Sequence, residues 1–153
     1  MSLCCDVLTA LQGKTLVTAE SLTGGGIGAA LTAVSGSSAV YKGGIISYTN
    51  AVKHRILGVP MDDLEKFGAV SEPTARAMAE GVRQLLAADV SVSVTGLAGP
   101  GGDEYGNPVG TVFIGYCDAG CTDVKQFLFS GDRESVRKQT VEAALHLILS
   151  HNC

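Results

Sequence analysis

Thr15-Leu16-Val17-Thr18-Ala19-Glu20-Ser21-Leu22-Thr23-Gly24-Gly25-Gly26 is the stretch on which the reading of this chain turns. A strand-forming run over residues 14–19 breaks into a glycine turn, and the apolar spacing that follows predicts a helix from about residue 25 to 34. Glycines at a strand-to-helix turn let ligand atoms approach the backbone. The first amides of the following helix lack intrahelical partners and attract anions. This turn also carries two hydroxyls, Ser21 and Thr23, which suit ligand binding or nucleophilic chemistry.

Outward from this unit, Leu3, Val7, Leu8 and Leu11 repeat at helical spacing up to Gly13. Residues 43–48 read as a second strand, and Asn50 as the cap of a short helix running to Leu57, stopped by Gly58 and Pro60. Ser71 caps the clearest helix, whose first turn holds Glu72 and Pro73. Its apolar face is Ala75, Met78, Ala79, Val82, Leu85 and Leu86. Residues 89–95 alternate valine with polar residues as a strand does. A glycine- and proline-rich loop over 96–108 follows, then two strands over 110–116 and 124–129, close enough for an antiparallel hairpin. A last helix spans about 132–150. The pattern predicts one α/β domain over residues 1–153, a three-layer α/β/α sandwich on a mixed, mostly parallel sheet of five or six strands closed by a C-terminal hairpin.

Composition narrows the function. In 153 residues, 46% are hydrophobic and 17% charged, which supports one packed core. The net charge of −4 argues against general nucleic-acid binding. No run reaches the roughly 20 apolar residues of a membrane helix, and no basic-then-apolar leader opens the chain, so a cytoplasmic protein without membrane contact is expected. The five cysteines are read as free thiols. Cys117 and Cys121 lack companion ligands at a metal-site spacing, and no structural metal or cofactor is expected.

Gly24, Gly26 and Ala29 match part of a dinucleotide fingerprint. That reading needs an acidic residue about 20 positions on, where this chain has Tyr48-Thr49-Asn50. A dehydrogenase is therefore disfavoured. Residues 21–61 contain no carboxylate side chain but hold Lys42, Lys53, His54 and Arg55, a segment suited to an anionic ligand. Lys53 falls in the first turn of the helix expected after Asn50, where the positive end of the dipole favours a neutral amine. From spacing alone, an ordinary exposed lysine is the plainer reading. Tyr48 is near enough in sequence to share its pocket. A second glycine loop, Thr95-Gly96-Leu97-Ala98-Gly99-Pro100-Gly101-Gly102, also leaves a strand end, and both loops open on one sheet edge if their strands run parallel. Arg133, opening the last helix, reads either as a clamp for phosphate or carboxylate or as a solvated residue.

Together these segments resemble the CinA C-terminal family, whose characterised bacterial members are nicotinamide-nucleotide amidases. The resemblance rests on AESLTGG at 19–25, VSGSS at 34–38, YKGGIISYTNAVK at 41–53, LGV at 57–59, GAVSEPTARAMAEG at 68–81, TGLAGPGG at 95–102, NPVGTVFIG at 107–115 and GDRESVR at 131–137. The family's usual Cys after the serine is Leu22 here. Many relatives carry a separate N-terminal domain related to molybdopterin-binding proteins. The resemblance implies hydrolysis of nicotinamide mononucleotide to nicotinate mononucleotide and ammonia, by a serine mechanism without metal, in a homodimer. It implies Ser21 as nucleophile, assisted by Lys53 and Tyr48. Substrate would be held by Thr23, Gly24, Gly25, Gly26, Thr95, Gly96, Gly99, Gly101 and Arg133. A non-catalytic nucleotide-binding or regulatory module, of the kind linked to competence and recombination, is the alternative, and a metal hydrolase is a third.

Overall fold

A computed structural model describes residues 2–153. The chain runs α1 (Leu3–Ala10), β1 (Leu16–Glu20), α2 (Gly26–Thr32), a 3-10 turn (Ser37–Ala39), β2 (Tyr41–Ile46), α3 (Asn50–Arg55), α4 (Met61–Phe67), α5 (Glu72–Leu85), β3 (Val90–Gly96), β4 (Thr111–Cys117), β5 (Thr122–Leu128) and α6 (Arg133–Asn152). The five strands form one sheet in the order β2-β1-β3-β4-β5. β1 lies parallel to both β2 and β3, whereas β3–β4 and β4–β5 are antiparallel. The mixed sheet and the closing hairpin agree with the sequence, with parallel pairing confined to three strands. No helix among the described residues is long and apolar enough to cross a membrane.

Two apolar clusters sandwich the sheet. One joins α1, α2 and α6 to Leu16, Val90, Val92, Val94, Val112 and Ile114. The other joins Leu57, Val59, Leu64, Met78 and Val82 to Val17 and Ala19. β3 is buried on both faces although every second residue is polar. Its valines face the first cluster. Ser91 and Ser93 on the other face donate to the α5 carbonyls of Ala79 and Ala75 at 2.6 and 2.7 Å, so their hydroxyls enter the core satisfied. Small side chains let α5 settle close: a Cβ at Gly115 of β4 would come within 2.8 Å of the Ala75 oxygen.

Several boundaries differ from the sequence reading. β2 starts two residues earlier than expected and ends at Ile46, which leaves Ser47 and Tyr48 beyond the ladder. Thr49, not Asn50, caps α3, its hydroxyl accepting from the Val52 amide. Helix α4 was not anticipated, although Pro60 before it, Asp62 and Asp63 in its first turn and Gly68 after it are ordinary helix-boundary signals. In α5, Ala75, Met78, Ala79 and Val82 are buried as expected, but Leu85 and Leu86 are 51% and 40% exposed. The helix ends at that point, Leu86 being its C-cap, and the left-handed Ala87 (φ 52°) turns the chain away toward β3.

Close packing also fixes the outcome of a helix-favouring substitution. Alanine is better than glycine in a helix interior by about 1 kcal/mol. A Cβ at Gly81 of α5, however, would overlap the Leu57 carbonyl oxygen. Gly81→Ala is therefore expected to destabilise the protein by about 1–3 kcal/mol, read as a lower urea midpoint at unchanged slope. An unchanged or raised midpoint would show that α5 has room to move.

Candidate active site

The connection from β1 to β2 passes through α2 on one face of the sheet, and that from β2 to β3 through α3–α5 on the other. The C-terminal ends of β1 and β3 thus flank a topological switch point, the usual ligand crevice of an open α/β sheet. A cavity of about 570 Å³ opens there, within the range of small-molecule sites. It brings together Ser21, Tyr48, Lys53, Thr95, Gly96, Gly99, Gly101 and Arg133 from the residues that the sequence singled out.

Its chemical centre is a buried pair. Lys53 is 1% exposed, and its Nζ lies 2.9 Å from Ser21 Oγ and 2.6 Å from the Ser47 carbonyl oxygen. Burial pushes the amine pKa down to about 8, because an ammonium loses hydration there. The sequence assigned this effect to the helix dipole. Instead α3 is six residues long, with Lys53 counted in its last turn as well; desolvation is the cause. At pH 7 roughly a tenth of the molecules carry the neutral amine. That form has a lone pair to accept the Ser21 proton.

The glycine turn behaves otherwise than expected. Glu20, 2% exposed, folds its carboxyl group under the start of α2. Its Oε1 accepts from the Thr23 hydroxyl at 2.5 Å and the Ile27 amide at 2.9 Å, and its Oε2 from the Gly28 amide at 3.1 Å. The helix amides read as an anion site therefore belong to a side chain of the protein. Gly24 and Gly26 donate to Ser21 and Thr23 carbonyls within the turn. Gly25 supplies a left-handed φ of 104° beside Ile46. Thr23, Gly24, Gly25 and Gly26 are not among the cavity-lining residues. Neighbouring side chains of a strand point to opposite sides, so Glu20 toward α2 leaves Ser21 toward Lys53.

Free donors come from other positions. Among the described residues the amides of Leu22, Ala98, Gly99 and Gly101 donate to no protein acceptor, and all four line the cavity. The Thr95 hydroxyl is committed to the Ala69 carbonyl at 2.8 Å. Arg133 spans the rim, donating to the Gly99 carbonyl at 2.7 Å and to the Tyr48 hydroxyl at 3.0 Å. Tyr48 is thus joined to Arg133, at 59% exposure, and makes no hydrogen bond to Lys53 or Ser21. The acid-free segment does not make an acid-free cavity, since Asp103 and Glu104 of the second glycine loop also line it. Asp103 is held by Asn107 and by the Tyr105 amide, which keep its carboxyl pKa low despite partial desolvation.

Sequence reasoning missed the groups that support the pair. Ser47 donates its amide to the Glu20 carbonyl at 2.7 Å and offers its own carbonyl to Lys53. Arg137 grips the nucleophile turn from α6, with Nε on the Leu22 carbonyl at 2.9 Å and Nη2 on that of Thr23 at 3.1 Å. Arg137 sits one helical turn beyond Arg133, a spacing that places both on one face and was the available signal.

The profile of the CinA C-terminal domain matches residues 3–151. A CinA-like protein of Parasynechococcus marenigrum (strain WH8102) is 51% identical over 148 residues, covering 94% of this chain and 35% of the relative. The chain spans about a third of the length of the curated relatives it matches. Among solved structures, a competence-damaged protein (CinA) superfamily protein from Enterobacter cloacae superposes with a TM-score of 0.96 at 37% identity, over 99% of this chain and 90% of that one. The competence/damage inducible protein CihA from Agrobacterium tumefaciens gives 0.95 at 39% identity, over 99% and 94%.

Glu20 gives the site a test of its own. In Glu20→Gln one acceptor oxygen becomes an NH₂ donor, so a buried donor is left facing another donor. The expected cost is about 1–3 kcal/mol in urea unfolding. A variant as stable as the parent would mean that the turn does not depend on this cap.

Proposed function

The chain belongs to the CinA C-terminal domain family, and on that footing we propose that it is an amidohydrolase of nicotinamide mononucleotide, forming nicotinate mononucleotide and ammonia. The substrate comes from the family resemblance. The observation that carries the chemistry is the 2.9 Å contact between Ser21 Oγ and a buried Lys53 amine. A serine hydroxyl is a poor nucleophile until a base takes its proton, and a lysine with a pKa near 8 is suited to do so.

In this reading, neutral Lys53 accepts the Ser21 proton as Oγ attacks the carboxamide carbon. The oxyanion is held by backbone N–H groups at the cavity wall, with Leu22 next to the nucleophile and Ala98 and Gly99 opposite as the candidates. Lys53, now an ammonium, returns the proton to the departing NH₂, and ammonia leaves. Water, deprotonated by the same amine, then attacks the acyl-serine, and Lys53 returns that proton to the departing Ser21 Oγ. Arg133 provides a cation at the rim for the phosphate, and Tyr48 holds Arg133 in place. A homodimer is part of this reading on family grounds.

The test is ammonia release from nicotinamide mononucleotide in the presence of chelator, with binding measured separately by calorimetry. Ser21→Ala and Lys53→Ala are each expected to lose several orders of magnitude in turnover. Tyr48→Phe is expected to lose less, because its phenol bonds Arg133 and neither member of the pair. Near-parental turnover in Ser21→Ala would refute the serine mechanism. Binding without ammonia release in the parent protein would favour a non-catalytic nucleotide-binding module.

The pH dependence follows from the lysine. The active form is the neutral amine, so kcat/KM is expected to rise about tenfold per pH unit below about 8 and to level off above it. A profile flat from pH 6 to 9 would remove Lys53 as the base.

A further inference from the structure

The opposite end of the sheet brings a thiol, an imidazole and a carboxylate together. β4 is antiparallel to β3, so Cys117 pairs with Ser91, far from the cavity at Gly96. The hairpin turn between β4 and β5 carries Cys121 at an exposed position. Its Sγ lies 3.9 Å from Nδ1 of His151 in α6, and Nε2 of the same ring lies 2.9 Å from Asp123 Oδ2 in β5. Asp123 as acceptor keeps the ring proton on Nε2, which turns the Nδ1 lone pair to the thiol. Tyr116 stacks on the imidazole at 4.2 Å and 5° and fixes its plane. Tyr116 is held in turn by Asp118 at 2.7 Å and Asn152 at 3.0 Å.

We propose that Cys121 is a thiol–disulfide exchange site, with His151 as base and Asp123 orienting it, whose substrate is a small cationic disulfide. Acyl transfer does not fit, because the Gly120 and Cys121 amides both donate to Asp118 Oδ1, at 2.8 and 3.0 Å, and are lost as oxyanion donors. Displacement at sulfur needs no such donor, only an approach along the S–S axis. A cleft of about 280 Å³, lined by Glu80, Arg83, Gln84 and the hairpin turn, adjoins the thiol. Desolvation, then the charges of Asp118 and Asp123, push the Cys121 thiol up, so attack requires the imidazole to take its proton. Arg83, Arg76 and Lys125 also lie near, but Arg76 is paired with Glu72 and Lys125 with Asp123, and the carboxylates that act on the thiol itself are Asp118 and Asp123, which favours a cationic disulfide over an anionic one.

The step balances without an external oxidant or reductant. His151 Nδ1 takes the thiol proton and Cys121 Sγ attacks one sulfur of the disulfide. A new S–S bond forms as the old one breaks. The departing thiolate takes the proton from the imidazolium and leaves as a thiol.

The test treats the reduced full chain with cystamine and follows mixed-disulfide formation at each cysteine by peptide mass mapping. Cys121 is expected to react ahead of Cys5 and Cys153, and cystamine ahead of oxidised glutathione. His151→Phe keeps a ring against Tyr116 but removes the base, and is expected to slow Cys121 by about tenfold or more with Cys5 unchanged. Buried Cys117 remaining unlabelled reports that the hairpin is still folded. Equal rates at Cys121 and Cys153, or an unchanged rate in His151→Phe with Cys117 still protected, would overturn the proposal. A faster reaction with oxidised glutathione would overturn the charge preference.

Discussion

The buried carboxyl group of Glu20 is the constraint on which the site depends. It ends β1, closes the start of α2 and satisfies three donors that would otherwise be stranded in the interior. Its backbone carbonyl also receives the Ser47 amide and so ties the end of β2 to the end of β1. Ser47 then fixes the Lys53 amine through its own carbonyl, and Lys53 reaches Ser21. Glu20 is therefore tied to both members of the reactive pair: its carboxyl group fixes the turn that carries Ser21, and its backbone carbonyl holds the strand end that positions Lys53.

Bringing an amine to 1% exposure is costly. The fold offsets part of that cost with two short hydrogen bonds, but among the described residues it supplies no carboxylate partner. A salt bridge there would hold the lysine charged and useless as a base. The pair thus trades stability for a titration near neutral pH, a common arrangement at reactive sites. Arg137, reaching across from α6 to the two carbonyls after Ser21, keeps the turn from relaxing away from the lysine.

The two ends of the sheet are built by opposite means. At the cavity end, strands give way to glycine loops that leave backbone amides open. At the hairpin end, Asp118 uses up the amides of its own turn and side chains carry the chemistry instead. Between them, the serines of β3 and Gly115 let α5 lie close to the sheet. A substituent as small as a methyl group is therefore felt along the seam.

The elements and the inventory of reactive groups are legible in the chain alone. The period of the apolar residues marked the α5 face, the valine alternation marked β3, and the short spacing between the last two strands marked the hairpin, because these signals are local. Ser21, Lys53 and Arg133 were also legible, from a glycine turn, a family resemblance and a helix start. What each group faces depends on the assembled fold. The turn glycines and the helix start look like an anion site in one dimension, yet Glu20 closes that site, since pleating sends it one way and Ser21 the other. Lys53 looks like an exposed residue of a short helix until the fold buries its amine against Ser21 and the Ser47 carbonyl and removes its water. Cys121, His151 and Asp123 lie up to 30 residues apart; no local pattern joins them, because the antiparallel hairpin and the end of α6 meet only when the sheet is assembled.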